Sequence, residues 1–160
     1  MSEANPYEKY LDGRSLEAIL GSTEQEIARL VHLMGHQKAT HAPAPGKWSP
    51  AEIIAHLADC EIAFGFRLRQ TLAEDHHVVQ PFDQEKWGAT YGGITPAQAL
   101  AAFGGLRAWN LALISKTLPH SANKQVTHPE RGAMTFQTIV ETMAGHDINH
   151  LGQLKRIAES

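Results

Sequence analysis

Several features that define whole classes of protein are scarce or missing in this chain. Cys60 is the single cysteine among 160 residues, so no disulfide can form within the chain and a disulfide-held scaffold is excluded. No apolar run approaches the roughly 18 residues that a membrane-spanning helix needs. Residues 1–10 have neither a basic start nor an apolar core, so we expect no signal peptide. Together these absences predict a cytoplasmic protein without a membrane partner.

Charge of one sign and strand-forming residues are also in short supply. The formal net charge is −3. Proteins that bind nucleic acid usually present a positively charged surface, so we expect no nucleic-acid partner. Valine occurs five times, against 22 alanines and 15 leucines, and this balance favours helix over strand. With 42% hydrophobic residues the chain can bury a core, and its length predicts a single domain over residues 1–160.

Four long segments carry apolar residues at helical spacing. The first covers about residues 15–37 and ends before a segment containing two prolines and a glycine, residues 42–46. The second has the clearest start signal: Ser49 is a capping residue, Pro50 suits the first helical position, and Glu52 can close a capping box. We expect this second helix to fray near residues 74–75.

The third segment begins with the same device, a threonine followed by a proline at Thr95 and Pro96, and we expect Pro119 to stop it. The fourth begins near Thr135 and continues toward the C-terminus. Four amphipathic helices of this length bury their apolar faces most simply in an all-α four-helix bundle. The link over residues 75–94 is unusually long for a bundle, and it is either a functional lid or a packing loop.

Ten histidines are the unusual feature of the composition, and two pairs of them have the i, i+4 spacing that places both rings on one helical face. His32 and His36 lie opposite the apolar stripe of the first helix, so we expect them to face solvent. His146 and His150 lie within the stripe of the fourth helix, so their rings are expected to point into the core. Shared coordination of a metal ion would explain two buried imidazoles one turn apart.

Other interpretations of these residues stay open at this point. A buried imidazole without a partner costs about 1–3 kcal/mol, so each ring could instead be a hydrogen-bonded core histidine. His56 is a candidate further ligand, because it lies at the flank of the second helix's stripe, although periodicity does not require it to face inward. Cys60, one turn later, is expected to be a small core residue.

Two sequence segments carry a resemblance to a known family. The first is WSPAEIIAHLAD at residues 48–59 and the second is GHDINHLGQL at residues 145–154; the intervening HPERG at residues 128–132 adds to them. With the four-helix pattern, these segments resemble the DinB superfamily over essentially the whole chain. The resemblance implies a four-helix bundle of the DinB/YfiT-like type that holds a divalent metal, nickel or zinc, on three histidines.

Carried onto this sequence, the resemblance implies that the metal ligands are His56, His146 and His150. Three imidazoles leave a coordination position open, which is typical of catalytic rather than structural sites. Members of the family use such a centre for thiol transfer, and others are named hydrolases. We therefore expect a metal-dependent enzyme that performs thiol-dependent S-transfer or hydrolysis on a small molecule. The alternative is a non-catalytic metal- or ligand-binding stress-response protein of the same fold.

Further candidate residues surround this expected site. Arg107 lies on the apolar stripe of the third helix, either packed by its stem or serving as an anchor for a substrate anion. Asn110 and His128 are further substrate-binding candidates, and Asp59 and Asp147 could orient an imidazole from behind. No catalytic residue can be assigned. The third helix is also apolar on its other side, at Leu106, Trp109 and Leu113, which suggests a homodimer.

Overall fold

Helices form most of the structure, which is a computed structural model that describes residues 4–160. Residues 1–3, part of the stretch in which we expect no signal peptide, lie outside the described residues. A short 3-10 helix comes first, and the longer elements follow it. In chain order they are the 3-10 helix Glu8–Tyr10, α1 (Leu16–Thr40), α2 (Pro50–Ala73), α3 (Gln84–Gly88), α4 (Pro96–Ser121), β1 (Gln125–His128), β2 (Gly132–Thr135) and α5 (Phe136–Glu159).

Each long helix begins directly after a hydroxyl residue whose side chain accepts a hydrogen bond from a backbone N–H of the first turn. The capping boxes predicted at Ser49 with Glu52 and at Thr95 are confirmed. Thr135 caps α5 in the same way, at the predicted start of the fourth helix. The second helix ends at Ala73, as its predicted fraying implied.

The four long helices form a four-helix bundle, as predicted. Helix α2 packs mainly on α4 and α5, and α1 packs mainly on α5 and α4. The helices that follow one another in sequence, α1 and α2, therefore lie diagonally across the bundle, as do α4 and α5. This arrangement places α2 and α5 side by side, which brings the two histidine-bearing helices of the sequence into contact.

The apolar stripes meet in the centre of this bundle. Ile53, Leu57 and Leu68 of α2 are fully buried, and so are Ile139 and Leu154 of α5. At about 25 cal/mol per Å² of buried apolar surface, these stripes supply the main driving force for folding. The bundle therefore follows from the periodicity that the sequence shows.

Two details of the helices differ from the prediction. Pro119 does not stop the third helix, which continues to Ser121. Because Pro119 lies in the last turn, it removes a single helical hydrogen bond, and the Ala122 N–H still reaches the Leu118 carbonyl. Helix α1 extends to Thr40 but is kinked at Gly35, whose φ of 69° is a conformation that glycine adopts without strain.

The β-hairpin between α4 and α5 was not predicted. Its strands pair antiparallel, with Gln125 opposite Thr135 and His128 opposite Gly132. Four-residue strands are too short for alternation to stand out from the surrounding sequence. In the long link over residues 75–94, Val79 and Tyr91 are buried and Val78 bridges to Thr127.

Apolar side chains also lie on the outside of the bundle. Trp109 of α4 is 69% exposed, and Ile62 and Phe66 of α2 are exposed as well. Leu106 and Leu113 are half-buried rather than exposed. Among residues 4–160, no helix is long and apolar enough to cross a membrane.

Candidate metal centre

Three buried histidines from two adjacent helices meet in the bundle core. His56 comes from α2, and His146 and His150 come from successive turns of α5; they are 2%, 5% and 9% exposed. His146 and His150 point inward as their position in the stripe predicted. His56, at the flank of its stripe, points inward because α5 lies on that side of α2. The exposed pair, His32 and His36, lies on the outer face of α1, also as predicted.

The ring nitrogens of these histidines are too close together to be explained by hydrogen bonds alone. His146 Nε2 lies 3.2 Å from His56 Nε2 and 3.1 Å from His150 Nε2. An imidazole nitrogen carries either one proton or one lone pair, so His146 Nε2 can make only one of these two hydrogen bonds. A cation shared by the three nitrogens, which all lie within 4.8 Å of one another, would satisfy them together. The donor set therefore fits a divalent metal ion.

The electrostatic environment keeps these imidazoles neutral. Burial lowers the pKa of His56 from its ordinary 6.5 to about 4, with a smaller contribution from His150. Burial also lowers the pKa of His146 well below 6.5, and neighbouring His150 and His56 lower it further. The pKa of His150 is lowered by burial, although Gln153 and Asp147 partly oppose the shift. Neutral imidazole with a free lone pair is the form that binds a metal.

Gln153 is the residue that orients one of these rings. Its side-chain oxygen lies 3.0 Å from His150 Nδ1, so the Nδ1–H donates to Gln153 and the Nε2 lone pair faces the other two histidines. Gln153 belongs to the segment that carries the family resemblance, but the sequence alone assigns it no role. The signal was its i+3 position after His150.

Aromatic rings from separate parts of the chain enclose the histidines. The Trp48 ring lies 5.0 Å from the His56 ring, and the Tyr7 ring lies 5.0 Å from the His146 ring. Tyr7 reaches this position because Gly145 has no side chain: a Cβ there would lie 2.5 Å from the Tyr7 carbonyl oxygen. Nothing in the sequence pointed to Tyr7, because its contact depends on how the N-terminal segment crosses α5.

Arg107 lies in a buried ion-pair network beneath the site. Its Nη1 and Nη2 donate to Asp147 at 2.6 and 3.0 Å, and Nη2 also donates to Glu61 at 2.8 Å. A further bond joins Nη1 to the Leu20 carbonyl at 2.9 Å. Burial alone would lower the pKa of Arg107, but the two carboxylates outweigh it and raise that pKa. The guanidinium thus ties α4 to α2, α5 and α1.

Asn110 belongs to the same network. Its Nδ2 donates to the Glu61 backbone and side-chain oxygens, both at 2.9 Å, and its Oδ1 accepts from Arg69 at 2.8 Å. The structure therefore places Arg107 and Asn110 in contact with protein groups on several sides. Glu61, which completes the network, was missed because a lone glutamate within a helical stripe has no distinctive sequence signal.

The two aspartates that were expected to orient imidazoles have other partners. Asp147 Oδ2 accepts from the Thr23 hydroxyl at 2.7 Å, and both of its oxygens bond Arg107. Asp59 accepts from the Tyr91 hydroxyl at 2.7 Å. Across residues 4–160, neither aspartate hydrogen-bonds any of the three rings.

His128 lies at the end of β1 and is not one of the three converging histidines. It is buried and lines a small cavity of about 10 Å³, roughly the space of one water molecule. The side chains of Arg67 and Arg131 line the same cavity. Two residues that line this cavity also lie near the histidine cluster. Thr142 precedes His146 by one turn of α5, and the Phe64 ring lies 6.2 Å from the His146 ring. Arg131 belongs to the HPERG segment at residues 128–132, whereas nothing in the sequence marks Arg67.

The fold is that of a known group of helical proteins. The chain belongs to the DinB superfamily, whose family model matches residues 19–154. It is 23% identical to "Putative metal-dependent hydrolase OB0782" of Oceanobacillus iheyensis, over 99% of this chain and 98% of that protein. It is also 19% identical to "Putative metal-dependent hydrolase YfiT" of Bacillus subtilis, over 88% of this chain and 80% of that protein.

The solved structure of Bacillus subtilis YfiT has the same fold. It superposes with a TM-score of 0.77 at 20% identity, covering 88% of this chain and 84% of that one. That protein is described as "a probable metal-dependent hydrolase with an unusual four-helix bundle topology".

Proposed function

We propose that this protein is a metal-dependent enzyme in which His56, His146 and His150 hold one nickel or zinc ion. The observation that carries the proposal is the convergence of three buried, neutral imidazole nitrogens, of which His146 Nε2 lies within 3.2 Å of the other two. The names of the relatives, which describe metal-dependent proteins, support the same conclusion.

The reaction we propose is attack by a water or a low-molecular-weight thiol on a small-molecule substrate. A divalent ion on three histidines is a Lewis acid that lowers the pKa of a water or thiol and so supplies a nucleophile near neutral pH. Water would give the hydrolase activity named for the relatives, and a thiol would give the S-transfer that the family resemblance implies. Gln153 holds the His150 ring in the tautomer that this site needs.

For the remaining site residues we propose different roles. His128 is a candidate for substrate binding together with Arg67 and Arg131, the cationic side chains beside it, which can pair with an anionic group. Arg107 and Asn110 are proposed as positioning residues, because their polar groups bond Glu61 and Asp147. Arg107 holds Asp147 and so fixes the turn of α5 that carries His146, and Asn110 holds Glu61, the second carboxylate that Arg107 bonds. Asp59 is assigned to packing of the long loop through Tyr91.

One observation favours the second candidate, a non-catalytic metal- or ligand-binding stress-response protein. Among the described residues, the buried carboxylates Glu61 and Asp147 are ion-paired with Arg107, so neither is free to act as a general base. Turnover separates the two candidates. The metal-loaded protein should be tested on panels of esters and amides, and on electrophiles supplied together with glutathione, bacillithiol or mycothiol. Failure in every panel would favour the binding protein.

Metal content tests the centre itself. Protein purified without a histidine tag should hold one divalent ion per chain, and His146→Ala/His150→Ala should lose it. The matched control is His32→Ala/His36→Ala, which removes the exposed pair of the same spacing and should keep the full metal content. Circular dichroism shows whether both variants fold. A folded His146→Ala/His150→Ala variant with the metal content of the parent would refute the proposal.

We also propose that the protein is a cytoplasmic homodimer. Exposed Trp109 on α4, with Ile62 and Phe66 on the neighbouring helix, supports a contact face on this side of the bundle. Light scattering tests it: Trp109→Glu should convert a dimer to a monomer, and a monomeric parent would remove the proposal.

A further inference from the structure

A tyrosine of the N-terminal segment lies against the histidine centre. The edge of one ring faces the other where Tyr7 meets His146, with 5.0 Å between the ring centroids and 82° between the ring planes. Tyr7 is half-buried, and the 3-10 helix that follows it packs on α5. Its side chain therefore forms part of the wall around a candidate metal ligand.

Hydrogen bonds and close packing hold Tyr7 in this position. The Tyr7 N–H donates to the Asn5 side-chain oxygen at 2.9 Å, and the Tyr7 carbonyl accepts from the Tyr10 N–H at 2.9 Å. Asn5 is itself 5% exposed, so this anchor is buried. On the other side the segment lies directly on Gly145, where a Cβ would be 2.7 Å from the Tyr7 Cβ. The residue is thus placed beside the His146 turn before any ligand binds.

The hydroxyl of this tyrosine has no partner in the described part of the chain. Among residues 4–160 the Tyr7 hydroxyl makes no hydrogen bond, whereas the hydroxyl of buried Tyr91 donates to Asp59 at 2.7 Å. A hydroxyl that serves packing alone would gain from such a bond. The Tyr7 hydroxyl is therefore available to a bound molecule.

Two neighbours place the Tyr7 side chain between the parts of the proposed site. Burial raises the pKa of Tyr7 above its ordinary 10.0, nearby Cys60 raises it further, and nearby Arg131 lowers it. Cys60 Sγ lies 4.0 Å from His146 Nε2, and Arg131 is a proposed partner of an anionic group of the substrate. Tyr7 is therefore close both to the histidine centre and to the arginine that we assign to substrate binding.

A phenol at this place offers a chemistry that the other site residues do not. The three imidazoles use their Nε2 lone pairs for the metal, and the arginines suit a group that is already anionic. Attack by a water or a thiol on a carbonyl group puts new negative charge on a substrate oxygen. A neutral donor that is already in position stabilises that charge, and a phenol keeps its proton near neutral pH.

We propose that the Tyr7 hydroxyl donates a hydrogen bond to the substrate oxygen that gains negative charge at the histidine centre. This inference rests on the proposed function and adds a residue that touches the substrate. The other role open to Tyr7 is to cover His146, which needs the ring but not the hydroxyl. Tyr7→Phe separates the two roles, because it removes the oxygen and keeps the ring.

Ligand binding to the cobalt-loaded protein tests the assignment without an activity assay. Acetohydroxamate is the probe, because it binds divalent metals through oxygen atoms that carry negative charge. The untagged protein is stripped of metal with a chelator, loaded with one Co²⁺ per chain, and titrated with acetohydroxamate while the visible absorption of the cobalt is followed. Loss of a hydrogen bond to a charged oxygen should raise the Kd of Tyr7→Phe by about 10–100-fold. Co²⁺ binding and the circular dichroism spectrum should stay those of the parent.

The matched control is Tyr10→Phe, which removes the hydroxyl of the other tyrosine in the segment, 6.2 Å away between ring centroids, and should keep the Kd of the parent. Equal Kd values for the parent and Tyr7→Phe would overturn the proposal. An equal loss in both variants, or loss of Co²⁺ binding in Tyr7→Phe, would also overturn it, because Tyr7 would then serve the fold or the metal. A parent that binds Co²⁺ but not acetohydroxamate would overturn the role of Tyr7 and leave the histidine centre standing. A parent that binds no Co²⁺ would overturn both.

Discussion

The buried network around Arg107 predicts a large loss of stability when its cation is removed. Arg107 pairs with Asp147 and Glu61, and the side chains are 3%, 2% and 2% exposed. In Arg107→Met the methionine fills a similar volume, but two carboxylates remain buried without a counter-charge. Breaking a buried ion pair on one side costs about 3–5 kcal/mol, which is a large part of the roughly 5–15 kcal/mol that stabilises a protein of this size.

Chemical denaturation measures this loss. We expect the free energy of unfolding of Arg107→Met to fall by about 3–5 kcal/mol, and its melting temperature to fall by roughly 6–20 °C. The matched control is Arg29→Met, which breaks a pair with Glu26 of nearly the same length, 2.7 Å, in which Arg29 is 55% exposed. Because water screens that pair, its loss should leave the denaturation midpoint within error.

A triple variant separates the missing charge from the missing packing. In Glu61→Gln/Arg107→Met/Asp147→Asn all three groups are neutral, so most of the loss should be recovered if unpaired buried charge is its cause. The reasoning is refuted if Arg107→Met costs less than about 1 kcal/mol, because the carboxylates would then have found solvent or another partner.

Three further predictions concern the candidate site. In metal-free protein the folded state binds fewer protons than the unfolded state, because burial lowers the pKa of His56 from 6.5 to about 4. The free energy of unfolding should therefore be full above pH 6.5 and fall by up to about 3 kcal/mol as the pH falls to 4. A denaturation midpoint that stays constant over that range would contradict this. Gly145→Ala places a Cβ 2.5 Å from the Tyr7 carbonyl oxygen, so the free energy of unfolding should fall by about 1–3 kcal/mol and proteolysis before residue 10 should increase. An unchanged protease pattern would show that the N-terminal segment tolerates the added methyl group. Arg131→Met should raise KM for a carboxylate-bearing substrate without changing kcat. The control is Arg156→Met, at an exposed arginine of α5, which should change neither constant. Equal effects of the two substitutions would refute the anion-binding role of Arg131.

Much of the helical architecture could be read from local patterns. The caps at Ser49 and Thr95 are sequence signals because a cap is made within four residues of the chain. Burial of His146 and His150 followed from their place in the α5 stripe, since residues four apart share a helical face. The hairpin after α4 left no comparable signal because its strands are four residues long.

The partners of the polar core residues could not be read in the same way. A single arginine in an apolar helical stripe can either pack by its aliphatic stem with its charge in solvent or bind a substrate anion. Neither interpretation predicts that Arg107 pairs with Glu61 and Asp147. These three residues lie on three different helices. Their contact depends on which helices are neighbours, and loop lengths alone did not establish that order.

The candidate site shows the same division between local pattern and helix arrangement. The spacing of His146 and His150 places two imidazoles in the core wherever α5 packs. His56 joins them because α5 lies beside its flank of α2, and the same placement brings Cys60 Sγ to 4.0 Å from His146 Nε2. Spacing along one helix specifies which residues share a face, whereas the atoms that face them across the core depend on how the whole chain packs.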